Sequence, residues 1–157
     1  MSVSTPELES MERCAAFTAP AAPESVALAR RATIAVLDAW ACPVDRDVAV
    51  LLVDEVFTNA VLHGVVGSPE GARVTVEFVS SSDGLHVEVH DPTQGAGGTL
   101  MACHAGAHSE CGRGLDLVEA RSARWGSKDT PNGKFVYFDI PVSSADAEAA
   151  EASEPCL

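Results

Sequence analysis

Apolar residues first fall into helical register at Val26, Ala29, Thr33, Val36, Leu37 and Trp40, which predicts an amphipathic helix over about residues 24–40. Pro23 stands where helices often take a proline, because a first-turn amide has no intrahelical acceptor to lose. The stretch ACPVD interrupts the pattern, and Asp45 is placed to cap a second helix over about 46–63. There Val48, Leu52, Val56 and Ala60 make a core row, and Gly64 supplies the stop. The period then changes from helical to alternating. Val74, Val76 and Phe78 share one face of Arg73–Val79, Leu85, Val87 and Val89 alternate again after SSDG, and together they predict a hairpin. Upstream, Cys14–Thr18 is a short apolar stretch that suits an edge strand, closed by the prolines of APAAP.

Between residues 91 and 112 periodicity disappears: DPTQGAGGTLMACHAGAHSECG is rich in Gly and Ala. A structureless segment of that length inside a small domain is usually functional or disordered. A helical pattern returns over 113–122 with Leu115, Leu117 and Val118. Arg124–Ser127 and Phe135–Ile140 then flank PNGK, where Asn132–Gly133 is a two-residue turn signal. The order strand, helix, helix, hairpin, loop, helix, hairpin predicts an α+β fold. Its expected form is a two-layer sandwich with a mixed, mainly antiparallel sheet covered by helices on one face. Polar residues 1–10 and the small, acidic residues 143–157 suit disordered ends on a single domain at 11–142, and no internal repeat is visible.

Composition narrows the function. A chain of 157 residues with 46% apolar and 21% charged residues can bury a core as one domain. No apolar run approaches the roughly 20 residues that cross a bilayer. MSVSTPELESMER lacks the basic-then-apolar order of a signal peptide, so a cytoplasmic location without membrane contact is expected. The five cysteines form an odd, scattered set without CxxC, which disfavours a disulfide framework. A net charge of −13 argues against direct nucleic-acid binding. Any polyanion this chain binds must therefore be held by local backbone donors and a cation, against the overall field.

Candidate chemistry begins in LLVDEVFTNAVLHG, where Glu55, Asn59 and His63 stand at steps of four on one helical face. An amide oxygen is a suitable hard ligand for Mg²⁺, and a carboxylate one turn away can accept a hydroxyl proton in phosphoryl transfer. His63 lies in the last turn, where a histidine caps carbonyls and favours the dipole, and that structural role is preferred for it. Asp91 closes the strand LHVEVHD at a point where a pocket can open, and a carboxylate there accepts hydrogen bonds from an amino group such as that of adenine. Gly112-Arg113-Gly114 opens a helix, where glycines admit a phosphate close to free N–H groups. Cys103, His104, His108 and Cys111 offer zinc ligand types, but their spacing matches no common finger and free thiols are the better expectation. The pair Arg30–Arg31 suits a solvated face, and Trp40 and Trp125 suit core or interface positions.

Taken in order, these features resemble the ATP-binding fold shared by gyrase-type ATPases, Hsp90, sensor histidine kinases and MutL. Within it they look most like the short bacterial anti-sigma-factor serine/threonine kinases, over about residues 13–141. DEVFTNAVLHG looks like that family's asparagine box, GRGLDLVEARSARWG like its second glycine box and GKFVYFDIP like its closing strand. The resemblance implies ATP and Mg²⁺ as cofactors. It implies that Glu55 is the catalytic base, that Asn59 holds the metal, that Asp91 reads adenine, and that Gly112, Arg113 and Gly114 contact phosphates. Residues 95–111 would form an ATP lid. The implied partners are a sigma factor, held by sequestration, and an antagonist protein phosphorylated on Ser or Thr. The helix at 24–40 offers a surface for a homodimer or partner. One departure is plain: the family's first glycine box often reads D-x-G-x-G, whereas here the next glycine after Asp91 is Gly95, followed by Gly97 and Gly98. Two other functions fit the same motifs, a non-catalytic nucleotide-gated binding module and the catalytic domain of a histidine kinase. The latter ranks last, since no sensor, membrane span or phosphoacceptor helix precedes the domain.

Overall fold

Two hydrophobic periods, one helical and one alternating, sort the chain into two layers. A computed structural model describes residues 12–64, 71–91, 110–131 and 133–143, with the side chains at 63–64 and 110–114 outside that description. Its elements are β1 (Arg13–Pro20), α1 (Ser25–Trp40), α2 (Arg46–Gly64), β2 (Arg73–Ser81), β3 (Gly84–Asp91), α3 (Glu110–Arg121), β4 (Arg124–Thr130) and β5 (Gly133–Pro141). The strands form one sheet in the order β1-β2-β3-β5-β4, and among the described residues every pairing is antiparallel. Helices pack on one face, which is the expected α+β sandwich. Among the described residues, no helix is long and apolar enough to cross a membrane.

The helix boundaries follow from local chemistry. Asp45 caps α2, its Oδ1 accepting a hydrogen bond from the Val48 amide at 3.2 Å. At the other junction Pro23 precedes α1 in a turn, and Ser25 is the first helical residue. Helix α1 ends at Ala41, whose left-handed φ of 46° lets the Ala41 and Cys42 amides reach back to the Asp38 and Leu37 carbonyls.

The inner face of the sheet is made by Val74, Val76 and Phe78, by Leu85, Val87 and Val89, and by Phe138 and Ile140, all buried. Helix α2 lays Ala49, Leu52, Val53, Val56, Phe57 and Val61 on that face. The buried stripe is therefore turned from the expected row, of which Val48 and Ala60 are only half-buried. Each fully buried Leu, Val or Phe stabilises the fold by roughly 1.5–3 kcal/mol relative to an exposed one. Trp40 and Trp125 are partly buried against this core, as expected of them.

The first hairpin turns at SSDG as expected, and the second turns one residue before its Asn132–Gly133 pair suggests. Ser81 pairs with Gly84 and Thr130 with Gly133, so each glycine is the first residue of a strand. Gly84 has φ +142°, and a Cβ there would come within 2.0 Å of the Ile140 carbonyl oxygen. The expected ends lie outside the described residues except Ser143, whose amide donates to the Pro43 carbonyl at 2.8 Å. Of the expected ATP lid, residues 95–109, with Gly95, Gly97, Gly98, Cys103, His104 and His108, lie outside them too, as do the side chains of His63 and Cys111, whereas residues 110 and 111 belong to α3.

Candidate functional site

Alternation along β3 decides where its terminal acid goes. Leu85, Val87 and Val89 point into the core, and Asp91 is the next residue of that row, only 5% exposed. On α2, Asn59 sits between Val56 and Ala60 at the edge of the buried stripe. The two residues meet. Asn59, Val56 and Ala60 from α2, Val89 and Asp91 from β3, Leu115 from α3, and Lys134 and Val136 from β5 line one small cavity of about 30 Å³. That is room for a water molecule and far less than a nucleotide needs, so a nucleotide bound here would extend beyond the cavity.

Glu55 stands one turn from Asn59 on the same helical face, half-buried, and does not line the cavity. The triplet expected to contact phosphates is also placed differently from expectation. Helix α3 starts at Glu110, three residues before the predicted start, so Gly112, Arg113 and Gly114 lie within it. The fourth amide of a helix already bonds back to the residue before it, as Ala49 does to Asp45 in α2, so Gly112 keeps an N–H without an intrahelical acceptor whereas Arg113 and Gly114 lie past that set. Leu115, the next residue, is buried and lines the cavity, which brings the start of α3 beside Asn59 and Asp91 along the chain.

Lys134 was not anticipated. It is the register partner of Asp91 across β3 and β5, and it lines the same cavity. Its phase was visible in GKFVYFDIP, since Lys134, Val136, Phe138 and Ile140 alternate on one face. A buried carboxylate is costly unless compensated, and Lys134 on the paired strand carries the opposite charge.

Arg30, expected on a solvated face, is half exposed and forms an ion pair of 2.6 Å with Asp54, the residue before Glu55. The pair ties α1 to α2 near the site. Its worth is modest, because exposed pairs typically contribute at most about 1 kcal/mol.

The walls thus combine a buried carboxylate suited to accept from a base amino group and an amide oxygen suited to a hard cation, with Leu115 from the second turn of α3 beside them. Comparison with curated proteins gives no match. The family model of the histidine kinase-like ATPase domain, in contrast, matches residues 19–139. Because that stretch takes in every wall of the cavity and most of the sheet behind it, the protein belongs to the histidine kinase-like ATPase domain family and is an ATP-binding domain of that type.

Proposed function

We propose that the chain is a regulatory protein of the anti-sigma-factor type, which binds ATP at this cavity and phosphorylates a Ser or Thr of an antagonist protein. Sequestration of a sigma factor would follow when the antagonist is phosphorylated. The observation that carries the reading is that Asn59 and Asp91, from separate elements, line one buried cavity beside the start of α3. In this reading Asp91 accepts from the adenine amino group, and Gly112, Arg113 and Gly114 approach the phosphates. Glu55 accepts the proton of the attacking hydroxyl. The amide oxygen of Asn59 suits Mg²⁺, which when bound with the nucleotide supplies neutralisation of phosphate charge. A homodimer or partner surface is assigned to α1, where Leu28 is 45% exposed beside the arginine pair.

One observation favours a second reading. Glu55 lies outside the lining of the cavity, which suits a nucleotide-gated switch that binds ATP and changes partner affinity without transfer. Calorimetry with ATP and Mg²⁺ on wild type, Asn59→Ala and Asp91→Asn tests the site itself. Each substitution removes an interaction with a charged group or its partner, so affinity should fall about 10–100-fold. Equal binding by all three proteins would overturn the site assignment. Glu55→Gln separates the two functions: a kinase loses transfer of labelled phosphate and keeps ATP binding, whereas a switch keeps its partner response.

A further inference from the structure

The open face of the sheet carries a second cluster, turned away from α2 and the cavity. Strand β3 sends His86, Glu88 and His90 to this face because the intervening residues are taken up by the core. The β2–β3 register sets Glu77 directly opposite Glu88, and like charges facing each other on paired strands repel. His90 spans the two: its Nε2 lies 2.9 Å from Glu88 Oε2 and 3.5 Å from Glu77 Oε2. One ligand atom from each residue lies within 4.8 Å of the other two. A single proton on that nitrogen points at one oxygen, whereas a cation among the three atoms satisfies all of them.

The spacing suits a particular class of ion. Zn²⁺ bonds to imidazole nitrogen and carboxylate oxygen of about 2.0–2.2 Å place neighbouring ligands of a tetrahedron about 3.3–3.5 Å apart. Of the two separations from His90, the 3.5 Å to Glu77 matches that edge and the 2.9 Å to Glu88 is a few tenths of an ångström shorter. An imidazole among the donors also favours zinc over Mg²⁺ or Ca²⁺.

The ligands are held from behind. Glu88 Oε1 lies 3.1 Å from His86 Nε2, and His86 Nδ1 lies 2.5 Å from Asp139 Oδ1. The His90 ring stacks on Phe135 with centroids 4.9 Å apart and planes 27° from parallel. Metal sites are built in this way, with partners beyond the ligands fixing their orientation. We propose that Glu77, Glu88 and His90 form a zinc-type divalent-cation site on the open face of the sheet, with water as the fourth ligand. The ion would clamp β2 to β3 and offset the opposed glutamates, one residue along the chain from Asp91.

The test uses the full chain, freed of metal by chelation, with Cys103 and Cys111 changed to Ser and His104 and His108 to Gln, which removes the other histidine–cysteine cluster of the sequence. Calorimetric titration with zinc chloride should show one equivalent bound. His90→Gln and Glu77→Gln should each weaken binding by more than 100-fold. His86→Gln, which leaves all three ligands in place, should weaken it about 10–100-fold. Thermal melting without metal checks the fold of each variant, and Glu77→Gln alters a half-exposed residue should His90→Gln fail to fold. Zinc uptake unchanged by Glu77→Gln, or no uptake by the parent chain, would overturn the site and leave an ionic network only.

Discussion

Along β3, Leu85, Val87, Val89 and Asp91 turn toward the helices, while His86, Glu88 and His90 turn away from them. The two faces of one strand therefore obey different physics. On the helical side stability comes from area removed from water, and chemistry enters only where the apolar row runs out, at Asp91. On the open side there is no core to bury. Rings and charges are matched instead: Tyr137 stacks with His86 at 5.9 Å and lies under Arg124 and Lys128 at 6.0 and 5.8 Å. Such contacts are each worth about 1 kcal/mol or less at exposed positions. The contrast teaches that a strand end is the place where a buried row can present an acid without breaking the core.

Neighbouring residues of β5 offer the sharpest way to break that contrast. Phe138 is fully buried, so Phe138→Ala should lower unfolding free energy in urea by about 3–5 kcal/mol. Tyr137→Ala, one residue earlier and on the open face, should cost roughly 1 kcal/mol, the scale of its ring and charge contacts. Comparable losses would mean that the open face is covered in solution. A smaller effect is expected where the faces are brought into register. Gly84→Ala combines an unfavourable φ with a backbone clash at Ile140, and should destabilise by about 2 kcal/mol or more in the same measurement. A neutral result would mean that the β2–β3 turn readjusts freely.

Much of this contrast was legible in the sequence, because strand faces follow from a period of two. The hairpins, the Asp45 cap and the placing of helices against one side of the sheet needed no more than local pattern. Helix α2 was harder. VAVLLVDEVF is apolar on nearly every side, so periodicity could not decide between Val48 and Ala49, and packing on the sheet selected Ala49, Val53 and Phe57. The start of α3 was hidden by its glycines, which argue locally against the helix that the chain adopts from Glu110. At the site, Asn59 and Asp91 were legible as types of residue at promising ends of elements. Lys134 was not, because its pairing with Asp91 is a long-range register that no local spacing reveals. The crossing of β2, β3 and β5 that assembles Glu77, Glu88, His86 and Asp139 was invisible for the same reason.

Arg30→Ala tests the helical layer at a lower level, and thermal melting should show a loss of no more than about 1 kcal/mol, since Arg30 is half exposed. A larger loss would make the Arg30–Asp54 pair part of the support for α2.

The smallest effect concerns pH and belongs to the open face. Burial pushes the His86 pKa down, but hydrogen bonds and charge from Asp139 and Glu88 outweigh it, and the net shift is upward from 6.5. Burial likewise pushes Glu88 up, while hydrogen bonds and charge from His86 and His90 pull it further down, below 4.5. Protonated His86 therefore contributes stability that is complete below its unfolded value and is lost as pH rises through the higher folded value. Ionised Glu88 contributes stability that is present above its unfolded value and is lost as pH falls through the lower folded one. The network should contribute most between about pH 4.5 and 6.5. Urea midpoints of wild type and His86→Gln, measured with chelator present, should converge as pH rises above the ordinary histidine range. A gap that stays constant from mildly acidic to alkaline pH would show that His86 is held by packing against Tyr137 rather than by its charge, and the open face would then resemble the buried one more closely than its residues suggest.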